Sequence, residues 1–210
     1  MMGQSELIAK LANTLQTRMT DRAVDSVLDV LISSEAEQLA YLRKISVDVE
    51  ALINGPFHTA MEFLRLAHNH SERPMARRVQ DIEKAKDALM HALGNYSERP
   101  GQKSWTEYFI GVCCVLLSDK NEARYWFDRA YTSSLPLRSE LQKKVDNPDY
   151  LGYVTKGIVA TGILGIIFAP LAVVGILGGI GHASDDMETW KARLKLVSDF
   201  NDAMQRLAQS

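Results

Sequence analysis

Basic charge in excess is missing from this sequence. Its 24 lysines and arginines are outnumbered by 26 acidic residues, for a net charge of −2. Neutralising a phosphate backbone needs a basic stripe, so nucleic acid is not an expected partner. Cysteine is scarce too. Cys113 and Cys114 are the only two and are adjacent, and neighbouring helical side chains diverge, so a bond between them would be strained and a reduced, buried pair is expected. His58, His68, His70, His91 and His182 never fall at zinc-ligand spacing, and no metal or other cofactor is implied. The chain lacks a nucleophile elbow, a phosphate-binding lysine loop and a dinucleotide fingerprint. No enzyme activity is expected. A basic, apolar start is absent from MMGQSELIAKLANTL, which argues against a secretory signal, and Gly3 is not at the second position that a myristoyl signal requires. The expected location is intracellular, cytoplasmic or membrane-associated. The sequons Asn69-His70-Ser71 and Asn95-Tyr96-Ser97 are read accordingly as unmodified loops.

No stretch alternates at period two, while helical periodicity runs almost throughout, so the fold class is all-α. Leu7, Ile8, Leu11, Leu15 and Met19 form a first apolar stripe. Thr20-Asp21 restarts the chain ahead of Val24, Val27, Leu28 and Leu31. SEAE at Ser34–Glu37 and SWTE at Ser104–Glu107 both fit capping boxes that open helices. Between them, Leu39, Leu42, Ile45, Val49, Leu52 and Ile53 keep helical spacing until Gly55-Pro56. NHSERP at Asn69–Pro74 and NYSERP at Asn95–Pro100 recur 26 residues apart. In each, asparagine tolerates left-handed geometry at a helix end and proline blocks continuation.

Residues 80–136 resemble the tetratricopeptide repeat. Gly111, Leu117, Ala123, Phe127 and Ala130 fall where that family places small and packing residues, with Pro136 just past the second helix. Ala85, Leu89 and Ala92 look like the second helix of a looser preceding unit. Ser118 replaces the usual turn glycine, and Glu107 a frequent tryptophan. The resemblance implies antiparallel helix pairs in close approach. A short helix (Leu137, Leu141, Val145) is expected beyond Pro136. Trp105, Tyr108, Phe109, Trp126, Phe127 and Tyr131 sit at helical spacing, which suits a core first; Trp105, Tyr108, Trp126 and Tyr131 are also candidates for a partner-binding surface.

The stretch Gly157–Gly181 carries no charge and contains seven glycines in 25 residues. As one helix it would rise roughly 37 Å, enough for a single transmembrane segment. Pro170 at its centre argues for two arms of about 12 residues, each reaching only about 18 Å. Gly157, Thr161, Gly165 and Ala169 recur every four residues, and Gly175, Gly179 and Ala183 repeat the spacing on the other arm. Small residues at that interval let helix backbones pack closely. A third reading makes the stretch the permanent core of a helical bundle. Asp185, Asp186 and Glu188 fit an acidic helix start, followed by an amphipathic helix through Met187, Trp190, Leu194, Val197, Phe200, Met204 and Leu207.

The expected architecture is therefore a helical bundle with tetratricopeptide-like hairpins over 1–147, a Gly-rich apolar hairpin or membrane segment over 148–183, and a C-terminal helix over 184–210. The function expected from it is a membrane-inserting or pore-forming effector. Its hairpin is sheltered by the bundle until triggered, and small-residue faces then pack a homo-oligomer in the lipid membrane. In strategy this is similar to helical pore-forming proteins such as colicins. The alternative is a membrane-tethered adaptor that binds a protein partner.

Overall fold

The structure, a computed structural model, describes residues 2–17, 20–45, 53–69, 74–96, 99–147 and 170–210. Eight α-helices and no strand occur among them. They are α1 (Met2–Gln16), α2 (Asp21–Ser33), α3 (Glu35–Ile45), α4 (His58–His68), α5 (Met75–Leu93), α6 (Pro100–Leu116), α7 (Lys120–Asp146) and α8 (Pro170–Gln209). The chain is an all-α helical bundle, as its periodicity predicts.

Leu7, Leu11 and Leu15 of α1 are buried on the expected stripe; Met19 lies outside the described residues. Thr20 caps α2 as predicted. Its backbone is extended and its hydroxyl oxygen accepts the Ala23 amide at 3.2 Å, placing Val24, Val27, Leu28 and Leu31 in the core. The two capping boxes are corrected. Ser34 closes α2, and its hydroxyl donates to the Leu31 carbonyl and accepts from Gln38 Nε2 at 2.9 Å. Ser104 sits one turn inside α6, which already begins at Pro100, and its hydroxyl donates back to the Gly101 carbonyl at 3.1 Å. A proline at the first helical position displaced the start that the serine signalled.

Gly55-Pro56 breaks the chain where the sequence predicts, with Gly55 at φ −123° and ψ −109° in a π-type turn, Ile53–Phe57. The two SERP loops are not equivalent. Pro74 stands just before α5, whereas Pro100 is the first residue of α6. Asn69 has φ −74° and Asn95 lies in a 3₁₀ turn, Gly94–Tyr96, so neither asparagine takes the left-handed geometry expected of it.

Ser118, between α6 and α7, is the residue that does, with φ 66°. Its amide donates to the Val115 carbonyl at 3.0 Å and the Asp119 amide to Cys114 at 2.9 Å, the Schellman pattern that satisfies terminal carbonyls. Asp119 Oδ1 then accepts the Glu122 amide at 2.9 Å and caps α7. An L-residue in this region is strained by about 1–2 kcal/mol, partly offset by glycine's larger backbone entropy. Ser118→Gly should therefore stabilise the protein by about 0.5–1 kcal/mol, read as a rise in thermal midpoint of roughly 1–4 °C. A fall would mean that the serine side chain contributes more than its backbone costs.

Two predicted boundaries are absent. α7 runs through Pro136 to Asp146, so no separate short helix follows. Because Pro136 has no N–H, the Thr132 carbonyl lacks its helical donor, yet the helix continues. α8 is one 40-residue helix from Pro170, so Asp185, Asp186 and Glu188 lie inside it and open nothing. The chain divides into two compact units, residues 1–136 with 199–210, and residues 137–198. The last turns of α8 thus belong to the first unit.

Candidate functional site

The first unit is organised around α6. From Ser104 to Leu116 every residue is buried, although the segment includes Ser104, Thr106 and Glu107. Aromatic rings fill its surroundings. Phe57 meets Phe109 edge-on at 4.8 Å, and Trp105 lies 5.4 Å from Tyr108 and 5.5 Å from Phe200 of α8. Rings at these separations favour tilted and edge-to-face contacts through their quadrupoles.

α6 packs tightly against α7 at Gly111. A methyl group there would lie 2.6 Å from Cε1 of Phe127. The same face of α7 buries Ala123 and Ala130 completely. Deeper along α6, the fully buried Glu107 receives Arg129 through its Oε1, at 3.1 Å from Nε and 3.0 Å from Nη2. Glu107 Oε2 finds no hydrogen-bond partner, and neither does the buried Tyr108 hydroxyl. Burial raises the Tyr108 pKa well above the usual phenol range. The Arg129 guanidinium also covers the Trp126 ring at 5.1 Å and the Tyr125 ring at 5.8 Å.

On the side of α6 toward α5, Lys86 Nζ meets Glu122 Oε2 at 2.5 Å, and Trp126 Nε1 donates to Glu122 Oε1 at 3.2 Å. The bond from Lys86 holds the Glu122 carboxyl below its ordinary value against the opposing effect of burial. A depressed carboxylate stabilises the fold above its unfolded pKa, and that contribution is lost as pH falls through the folded value. For Lys86, burial alone would lower the pKa, but the bond and charge of Glu122 and the adjacent Cys114 outweigh it.

Cys113 and Cys114 are free and buried. Burial is the main reason that the Cys114 thiol is pushed up to about 12, with the Lys86 charge acting in the opposite direction. Burial likewise raises Cys113. Because the thiolate is the reactive species, native protein at pH 8 should leave both thiols unmodified by a disulfide reagent over hours. In guanidinium two thiols per chain should react. Rapid reaction of the native protein would place a solvent path at Cys114.

Of the residues considered for a partner surface, Trp105, Tyr108 and Trp126 are buried and belong to the core, and Tyr131 is half-buried. Among the described residues the exposed aromatic is Tyr125, at 54%, which sequence reasoning missed. It follows the inward Ala123 by two positions, so it turns away from the Ala123–Phe127–Ala130 face. His68 meets Asp29 Oδ1 at 2.5 Å. No group of residues suited to a metal ion occurs among the described residues.

In the apolar stretch, Gly157, Thr161, Gly165 and Ala169 lie outside the described residues. Pro170 is the first residue of α8, and Gly175, Gly179 and Ala183 lie on that helix four residues apart. No helix among the described residues is long and apolar enough to cross a membrane. Compared with known proteins, the chain matches no family, no curated protein and no solved structure.

Proposed function

We propose that the protein is a membrane-inserting helical effector whose apolar stretch, Gly157–Gly181, acts as two short arms and not as one span. The carrying observation is Pro170 at the centre of the stretch, where a proline disfavours a helix running through from Ala169. From there only 14 residues, Pro170–Ala183, precede the Ser184-Asp185-Asp186 sequence. They rise roughly 21 Å, short of a hydrocarbon core of about 30 Å. An arm of that length enters a bilayer as half of a hairpin, and Gly175, Gly179 and Ala183 offer it a small-residue face for packing. Apolar contacts with protein and with lipid are close in free energy, so a modest trigger shifts the balance.

The test uses full-length protein with dye-loaded vesicles of phosphatidylcholine and phosphatidylglycerol at pH 7 and pH 5. Flotation with the vesicles and dye release are expected. Gly165→Leu with Gly179→Leu should retain flotation and lose most of the release. Release unchanged in the double variant refutes small-residue packing, and no flotation at either pH refutes the membrane reading.

The close approach of Gly111 to Phe127 and the exposed Tyr125 support a second reading, a tetratricopeptide-like adaptor tethered at the membrane. Alkaline carbonate extraction separates the two. An adaptor held by a permanent anchor stays in the pellet and releases no dye.

A further inference from the structure

The last turns of α8, Asp199–Ser210, return to the first unit after 62 residues of the second, 137–198. They bury Phe200, Ala203, Met204 and Leu207, with Phe200 against Trp105 and Tyr108. At the centre of this contact stands a polar residue. Asn201 is wholly buried, and its Oδ1 is hydrogen-bonded to the Ser134 hydroxyl of α7. That hydroxyl also lies 2.7 Å from the Tyr131 carbonyl, and its single hydrogen serves one acceptor at a time. Asn201 Nδ2 has no partner. A buried amide left partly unsatisfied weakens a contact that an apolar residue would strengthen.

We infer that residues 199–210 form a detachable latch: they leave Trp105, Tyr108 and Ser134 as one cooperative segment while α6 stays folded, and the buried Asn201 sets how readily they do so. Polar residues at such positions hold register at the expense of stability. Ser134 keeps the Tyr131 carbonyl as its acceptor once Asn201 has gone, while the bond from Arg124 Nη2 of α7 to the Ser210 carbonyl, 2.8 Å, is given up on opening. The latch stands independently of the membrane reading.

Hydrogen exchange of the full chain under native conditions, with a urea series, reads the opening directly. Amides of Asp202–Leu207 should share one opening equilibrium with a common urea dependence, at least ~10-fold more frequent than that of the α6 amides. Asn201→Leu should make opening rarer by ~10-fold or more, and Phe200→Ala should make it ~100-fold more frequent with α6 exchange little changed. Exchange of the segment in step with α6 overturns the latch. Protection that fades smoothly toward Ser210, without a common urea dependence, also overturns it, since that is ordinary end fraying. Folded Asn201→Leu protein with unchanged opening removes Asn201 as the determinant. Should that variant fail to fold, wild type and Phe200→Ala decide the question.

Discussion

Replacing Arg129 by methionine should destabilise the bundle by about 3 kcal/mol. Methionine retains much of the apolar stem and removes the guanidinium that faces Glu107 and covers the Trp126 ring. The carboxylate is completely buried and only one of its oxygens is paired, so the variant leaves a charge in the core with no counter-ion. Breaking a buried pair from one side costs about 3–5 kcal/mol. The lower end applies because Arg129 itself is 36% exposed and reaches water. Adding Glu107→Gln removes the charge and should recover a large part of the loss, making the double variant more stable than Arg129→Met alone. Urea unfolding followed by circular dichroism measures all three. A loss under about 1 kcal/mol in the single variant would mean that water already solvates Glu107.

Gly111→Ala is the second large effect, and it acts through shape alone. The added methyl would meet three atoms of the Phe127 ring, at 2.6, 2.8 and 3.1 Å, so either the ring or a helix must shift. Overpacking of this kind costs about 1–3 kcal/mol, and with Phe127 held inside a fully buried site we expect about 2–3. Helix propensity works the other way, since alanine is favoured over glycine by about 1 kcal/mol. A net loss would therefore show that the steric term dominates. Combining the change with Phe127→Leu should cost less than the sum of the two single variants, because the smaller side chain vacates the contested space. Additive losses would place the strain elsewhere than at this pair.

The helices were legible where periodicity and a local capping signal coincided. Leu7, Leu11 and Leu15, the Thr20 cap and the Gly55-Pro56 break all rest on patterns within a few residues, whereas Gly111 meets Phe127 across two helices. The errors came where a strong local signal lost to its surroundings. Pro136 signals an end, yet α7 continues through it; the acidic residues at 185, 186 and 188 signal a start, yet α8 is already under way. Glu107 has the type and spacing of a capping-box residue. Its actual partner, Arg129, lies 22 residues further on in another helix, which no short-range pattern can reveal. Of the candidate site, the aromatic spacing placed Trp105 and Tyr108 on helices but could not distinguish core from surface, since a helix buried on every side has no polar face to orient it.

The order of the chain through its two units also fixes an order of events during synthesis. Residues 1–136 emerge from the ribosome first, then the 62 residues 137–198, and only afterwards the segment 199–210 that contributes Phe200 to the aromatic core. At about 5–20 residues per second, the intervening stretch takes roughly 3–12 s to make. Throughout that interval Trp105 and Tyr108 lack the ring that covers them in the finished fold. The charge-free stretch Gly157–Gly181 is made within the same interval.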